Sequence, residues 1–428
     1  MNLIFKSLQV FIVRGFGAAA AFLMSIVVAN TTDIASAGVF FFALTLTQLG
    51  GGLLALGSPN ALLKVVGADF GNSWSRINQT VSVLFRTIII LALLLLVACS
   101  VLSNQIANLL GMAEIADLLP LIVVCMLFFA TQQMVSAMLQ GKQQTIWAST
   151  VQNVIAQLSF IAMLGVLLLV GHEQTGRSLY FIYITCVGSA MLCGGVLWYR
   201  TKGTLFDIKA HFSRELKCSL GNLFVILLMV QCSMWAGQFA TAKYLSNSDV
   251  AFFAAAHRAA ILASFVLLAV NLVIAPKFAK AFAKGKFVEV NKLSLLSSRM
   301  MITLALPVLA FMIFFSGFLM SLFGEEYREA APLLQVLAVG QFINVATGSV
   351  DYLLNMTGHE KDMRNVVLFS GPLAIVLAFC LTSQFGLMGA AYATAISMAT
   401  QNLLAVCMVK KRLGFNTLNV FRKVAKHR

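Results

Sequence analysis

Charge is what this chain has least of. Only 11% of its 428 residues are Asp, Glu, Lys or Arg, whereas 60% are hydrophobic. A water-soluble domain carries about a quarter charged residues, so the solvent for most of this chain must be lipid. Proline is scarce as well, six in all, which leaves long stretches free to run as helix. Acids are the rarer sign, fifteen against thirty Lys and Arg, for a net charge of +15. Other chemistry is missing altogether. No phosphate-binding loop, nucleophile elbow or zinc-spaced His/Cys cluster is present, so no catalytic residue, cofactor or metal is expected. The eight cysteines fall in or at the ends of apolar runs and read as small apolar fillers.

A membrane helix needs roughly 20 apolar residues, and hydropathy divides the chain into about twelve such stretches. They are 9–30, 37–60, 80–103, 118–139, 149–170, 179–199, 218–241, 250–274, 295–322, 332–354, 365–383 and 388–409. Membrane β-strands would alternate every second residue; runs such as Ile88–Leu96 and Leu164–Val170 are apolar on every side. The expected fold is therefore an all-α integral membrane protein, with almost nothing left over for a soluble domain.

The positive charge is distributed along the chain in a way that argues against nucleic acid. Connections after even-numbered spans hold Lys64 and Arg76, Lys142, the run from Arg200 to Lys217, the run from Lys277 to Lys292, then Lys361 and Arg364. The tail adds Lys410, Lys411, Arg412, Arg422, Lys423, Lys426 and Arg428. The opposite connections hold mainly acids, among them Asp33, Glu114, Asp117, Glu173, Asp249 and Glu325. Such asymmetry is the positive-inside pattern, and it predicts that both termini are cytoplasmic.

The second half echoes the first. SAGVFFFA at Ser36–Ala43 and SDVAFFAA at Ser248–Ala255 stand 212 residues apart (248 − 36), and so do Pro120 and Pro332. Six spans per repeat predicts two six-helix bundles, 1–210 and 211–428, that enter the membrane from the same side, with a central cavity between them. Pro120 and Pro332 should open helices, where a missing N–H is harmless. Pro307 and Pro372 lie inside spans, and Gly50, Gly51 and Gly52 mark either a hinge or close packing.

Four stretches carry a family resemblance: VRGFG at Val13–Gly17, LFGEEYREAAPLL at Leu322–Leu334, LNMTGHEK at Leu354–Lys361 and FGLMGAAYATA at Phe385–Ala395. In order and spacing they cover essentially the whole chain, which resembles the Wzx-type flippases of polysaccharide and O-antigen biosynthesis. That family shares the MOP superfamily with multidrug exporters and the lipid II flippase. The resemblance implies a multi-pass protein of the bacterial inner membrane that moves oligosaccharide repeat units on undecaprenyl pyrophosphate to the periplasmic leaflet by alternating access, coupled to a cation. Besides this lipid-linked cargo and membrane lipids, a polysaccharide polymerase and a chain-length regulator are the partners it implies.

A pyrophosphate crossing a low-dielectric interior calls for arginine, which stays charged and grips phosphate oxygens with a fork of donors. Arg258, among alanines in span eight, is the first candidate, and the resemblance implies headgroup contact there. Snorkelling to the interface, or pairing with Asp249, is the competing reading. Arg14 in span one and Arg86 in span three follow. Asp351 and His257 are candidates for ion coupling, since ionisable groups inside spans are costly; structural pairing and helix packing compete. Gln133, Gln157, Gln231, Trp235, Gln238, Gln341 and Asn344 supply the amides and the aromatic face that sugars need, although interhelical hydrogen bonds use the same groups. The acidic run Glu325–Glu329 reads as a solvated turn. A multidrug or small-cation antiporter is the alternative function, and it should line its cavity with acids. A membrane polymerase would need a sizeable external catalytic loop, which this sequence lacks.

Overall fold

A computed structural model describes residues 2–69, 74–170, 175–200 and 214–418. All regular structure among them is helical. Seventeen α-helices follow in chain order: α1 (Asn2–Thr31), α2 (Ile34–Leu54), α3 (Ser58–Asp69), α4 (Trp74–Val101), α5 (Ser103–Leu110), α6 (Leu119–Gly141), α7 (Thr145–Asn153), α8 (Ile155–Leu169) and α9 (Gly176–Tyr199). They continue with α10 (Arg214–Tyr244), α11 (Asn247–Ile261), α12 (Phe265–Ala283), α13 (Phe287–Phe314), α14 (Ser316–Ser321), α15 (Ala331–Ala346), α16 (Val350–Met356) and α17 (Glu360–Leu413). The side chains of Lys64 and Lys217, together with Glu173, Lys202, Lys209, the tail beyond 418 and the expected boundary at 210, lie outside the description.

Ten stretches are long and apolar enough to cross a membrane, eleven with α7 and α8 taken as one bent span. The 54 residues of α17 would reach about 80 Å if straight, far beyond a hydrocarbon core of about 30 Å. Gly386 breaks it with non-helical angles of φ 60 and ψ −140. A Cβ on Gly389 would come within 2.0 Å of the Leu381 carbonyl oxygen, so the chain folds tightly back there. At the other end Arg412 grips Asp362 with two hydrogen bonds of 2.8 and 2.9 Å. This helix is a hairpin of two arms, and with it each of the twelve expected spans has its helix. Leu93, Leu94 and Val97 are 54%, 64% and 63% exposed on α4, an apolar surface that is stable only against lipid. This is a multi-pass membrane protein.

The chain forms two compact units: Met1–Gln231 with Leu245–Ala251, and Cys232–Tyr244 with Phe252–Arg428. In the first, α6 is the hub, packed by α2, α3, α4, α7 and α9. The glycines of α2 serve close packing. A Cβ on Gly50 would strike Met126, and one on Gly51 would strike Phe129, both on α6. Above them Phe40 packs edge-on to Tyr180 and Tyr183 and tilted against Phe160. Thr47 and Tyr180 share a hydrogen bond in this core.

In the second unit α15 packs on α13 and on the hairpin α17, and α12 on α13. Pro307 and Pro372 lie inside α13 and α17 as expected. The repeat extends to local structure. A six-residue 3₁₀ turn, Ala113–Leu118, leads into α6, and another, Glu325–Ala330, leads into α15. Both helices carry proline in their first turn. The second turn is not merely a solvated acidic run. Tyr327 is buried, edge-on to Phe252 at 5.3 Å and beside Phe323; only the charged residues on either side of it face outward.

Candidate functional site

Polar groups inside a membrane protein must be satisfied by the protein, by water or by a ligand, because lipid offers no partners. The buried groups left without a partner therefore call for water or a ligand. In the first unit two of them sit on adjoining helices. Arg14 is half-buried on α1 with its Nε unpartnered, and Gln157 on α8 has an unpartnered Oε1. One turn beyond Arg14, α1 and α7 nearly touch: a Cβ on Gly17 would lie 2.5 Å from the Asn153 carbonyl oxygen. Beside this contact the expected span five bends by 41° between α7 and α8. Gln132 holds the bend by donating to the Val151 carbonyl, and Ser136 donates to that of Ala148. The structural amide on α6 is thus Gln132, while its neighbour Gln133 is half-buried. Gln231 lies against Gly52, with its Nε2 3.0 Å from where a Cβ would stand. Arg86 is exposed on α4.

In the second unit Trp235, Phe253 and His257 form one cluster. The imidazole stacks on Phe253 at 5.9 Å with an 11° interplanar angle, and Trp235 meets it edge-on at 5.9 Å. Gly237 allows α10 to approach, since a Cβ there would strike Phe253 and Thr394. Gln238 is buried one residue further on. Arg258 follows His257, half-buried among the buried alanines 254–256, 259 and 260. Asp249 is engaged elsewhere: its carboxylate accepts from the backbone N–H and the hydroxyl of Ser246, capping α11. Pairing with Asp249 therefore does not account for Arg258.

The second unit also contains a break that span-level reading missed. Expected span ten is interrupted between α15 and α16, where Gly348 takes φ 84. Here a Cβ on Gly348 would lie 2.3 Å from Ser298 Oγ, so α13 presses on the break. Ser298 Oγ, Ser349 Oγ and Asp351 Oδ1 are all buried without a hydrogen-bond partner. Among the described residues no basic side chain lies within ion-pair distance of Asp351. Further along α15, Asn344 donates to Gln341 at 3.4 Å and Thr347 donates to Asn402 at 3.4 Å. The signal for this break was in the sequence, since Thr347, Gly348 and Ser349 are a turn-forming triplet inside an apolar span. No group of three or more His, Cys, Asp or Glu able to hold a metal exists among the described residues.

Taken together, the helical plan and the placement of polar groups within the spans define an all-helical membrane protein with polar interiors in both units. Comparison with known proteins sharpens that class. The MatE family model matches residues 222–380, less than half of the chain. A multidrug resistance MATE family transporter of the MOP superfamily, solved in an inward-facing conformation, is similar in fold with a TM-score of 0.76 at 14% identity, over 93% of this chain and 94% of that one. An outward-facing MATE structure is similar at 0.64 and 13% identity, over 96% and 95%. A MOP superfamily transporter from Pyrococcus furiosus, described as having a binding pocket of reverse polarity, is similar at 0.65 and 15% identity, over 98% and 96%. A comparison with curated proteins returns no match. The fold is that of the MATE transporters.

Proposed function

We propose that this protein is an alternating-access transporter that exports small organic molecules in exchange for a cation, the alternative weighed from sequence. The observation that carries this reading is the extent of the likeness: both inward-facing and outward-facing MATE structures are similar over more than nine tenths of the chain. The aromatic cluster of Trp235, Phe253 and His257 beside Arg258 supplies flat faces next to a positive charge. Asp351 at the break in span ten is the natural coupling group, because a buried carboxylate without a partner wants a cation or a proton. On this reading both termini face the cytoplasm, as the charge asymmetry suggests.

A second reading, translocation of a lipid-linked oligosaccharide in a bacterial inner membrane, is favoured by one specific observation. The cationic candidates Arg14, Arg86 and Arg258 suit an anionic headgroup better than an organic cation, and the Nε of Arg14 is buried without a partner. Pocket polarity varies within this fold, as the description of the Pyrococcus furiosus transporter illustrates.

One experiment separates the two. The gene is expressed in an exporter-deficient host and ethidium efflux is followed; in parallel, its deletion is assayed for lipid-linked repeat units accumulating on the cytoplasmic leaflet. Efflux without accumulation supports the first reading, and accumulation without efflux supports the second. For either cargo Arg258→Ala should cut transport by roughly tenfold or more, the worth of a charge-assisted hydrogen bond, at normal protein abundance. Unchanged transport in that variant would remove Arg258 from the site.

A further inference from the structure

The turn between α12 and α13 carries a cluster of lysines outside the candidate site. Lys277, Lys280 and Lys284 lie along one face of α12 and beyond its end, and with Lys286, Glu289 and Leu293 they line a cleft of about 330 Å³. All four lysines are exposed, Ala281 lines the cleft between them, and Ile274 and Phe278 are buried on the adjoining face of α12. Like charges three and four residues apart on a helix repel. Glu289 is the sole acid lining the cleft, and it meets Lys286 at 3.5 Å. Among the described residues, the other three lysines have no acid within ion-pair distance in this small concave space.

The turn beneath the cleft is closed by hydrogen bonds. Gly285 takes φ 67, which a side chain would resist. Its N–H bonds the Phe282 carbonyl at 2.9 Å, and the Lys286 N–H bonds that of Ala281 at 3.0 Å. Phe282 packs edge-on to Phe287 at 5.6 Å across the same turn. Next to the lysines, Phe287 and Val288 stand 56% and 45% exposed. Phosphate matches the charge, and exposed apolar side chains beside it match acyl chains, so the two together favour a lipid over a free ion.

We propose that this cleft binds the phosphate headgroup of an anionic membrane lipid, with Phe287 and Val288 resting against its acyl region. The site is independent of which cargo is carried.

The test uses the full chain purified in detergent, with melting followed on addition of phosphatidylglycerol, phosphatidylcholine or inorganic pyrophosphate. Phosphatidylglycerol should raise the melting temperature and phosphatidylcholine should not. The triple variant Lys277→Gln, Lys280→Gln, Lys284→Gln should need roughly a hundredfold more phosphatidylglycerol for the same rise, whereas the matching triple arginine variant should respond as the parent does. Equal stabilisation of the glutamine variant would overturn the proposal. So would full stabilisation by pyrophosphate alone, which would make the cleft a free-anion site. Should the glutamine variant fail to accumulate, Glu289→Gln decides instead. Removing the one opposing charge should sharpen the phosphatidylglycerol response, and an unchanged response would sink the idea.

Discussion

In the first unit α2 carries Phe40, Phe41 and Thr45 into a buried aromatic core, where Phe40 meets Phe160, Tyr180 and Tyr183. At the offset of 212 residues, α11 carries Phe252, Phe253 and His257 at the matching positions. There Phe253 stacks on an imidazole, and Arg258 stands where the first unit has buried Leu46. The backbone plan is shared: a 3₁₀ turn and a proline-opened helix recur at the same offset. The interiors differ. Capping, proline and turn chemistry are local and survive divergence of the halves, whereas side-chain polarity is free to change wherever a helix lines something other than its own core. The contrast is therefore between two helices at the same place in the repeat, α2 packed by aromatic rings and α11 carrying a histidine and an arginine.

Among the substitutions that test this contrast, the largest effect should fall in the second unit, at its tightest backbone contact. Gly389→Ala pushes a methyl group onto the Leu381 carbonyl and should cost about 4 kcal/mol, read as a fall in thermal stability in detergent. Full stability would mean that the arms of α17 can part freely. Phe40→Ala should come next at about 3 kcal/mol, the low end for such a truncation because lipid rather than water is the alternative environment. Its mate Phe252→Ala, only half-buried, should cost less than half as much. Equal losses would erase the contrast between the two helices.

Smaller effects test the caps. Asp33 accepts the Ser36 N–H at 2.9 Å to cap α2, and this bond holds its carboxyl below the ordinary carboxylate range. A depressed value means that the stabilisation is complete above the unfolded value near 4 and fades as pH falls through the folded one. Asp33→Ala should thus cost about 1 kcal/mol or less at neutral pH and nothing in strong acid; a loss independent of pH would refute the cap. Arg412→Ala should have the smallest effect of all, because the Arg412 side of the pair is solvent-exposed and screened. A large loss there would show that the ion pair, and not Gly389, sets the hairpin.

Much of this was legible beforehand, for definite reasons. Twelve apolar stretches, with a gap between 383 and 388, could be read because a bilayer demands length and hydropathy from each span separately. Pro120 and Pro332 opened helices as their missing N–H groups predict. The site was less legible. Trp235 and His257 were each recognisable as polar or aromatic residues in spans, but their meeting depends on α10 approaching α11 through Gly237. The break at Gly348 and the bend at Val154 passed unnoticed because hydropathy averages over a window and does not register a single lost hydrogen bond. Gln132, rather than Gln133, proved to be the residue that holds a neighbouring helix, a choice made by rotation about the α6 axis.

The order of amino acids alone determined that this chain lives in lipid, how many times it turns, and that its halves share local motifs 212 residues apart, since these follow from transfer free energies and short-range sequence. Only the tertiary structure decided that α2 packs against aromatic rings while α11 surrounds a histidine with them, and that three unpartnered oxygens gather at the break in span ten. Those outcomes depend on which helix faces meet, and contacts between distant segments are fixed by packing and not by any one segment's composition.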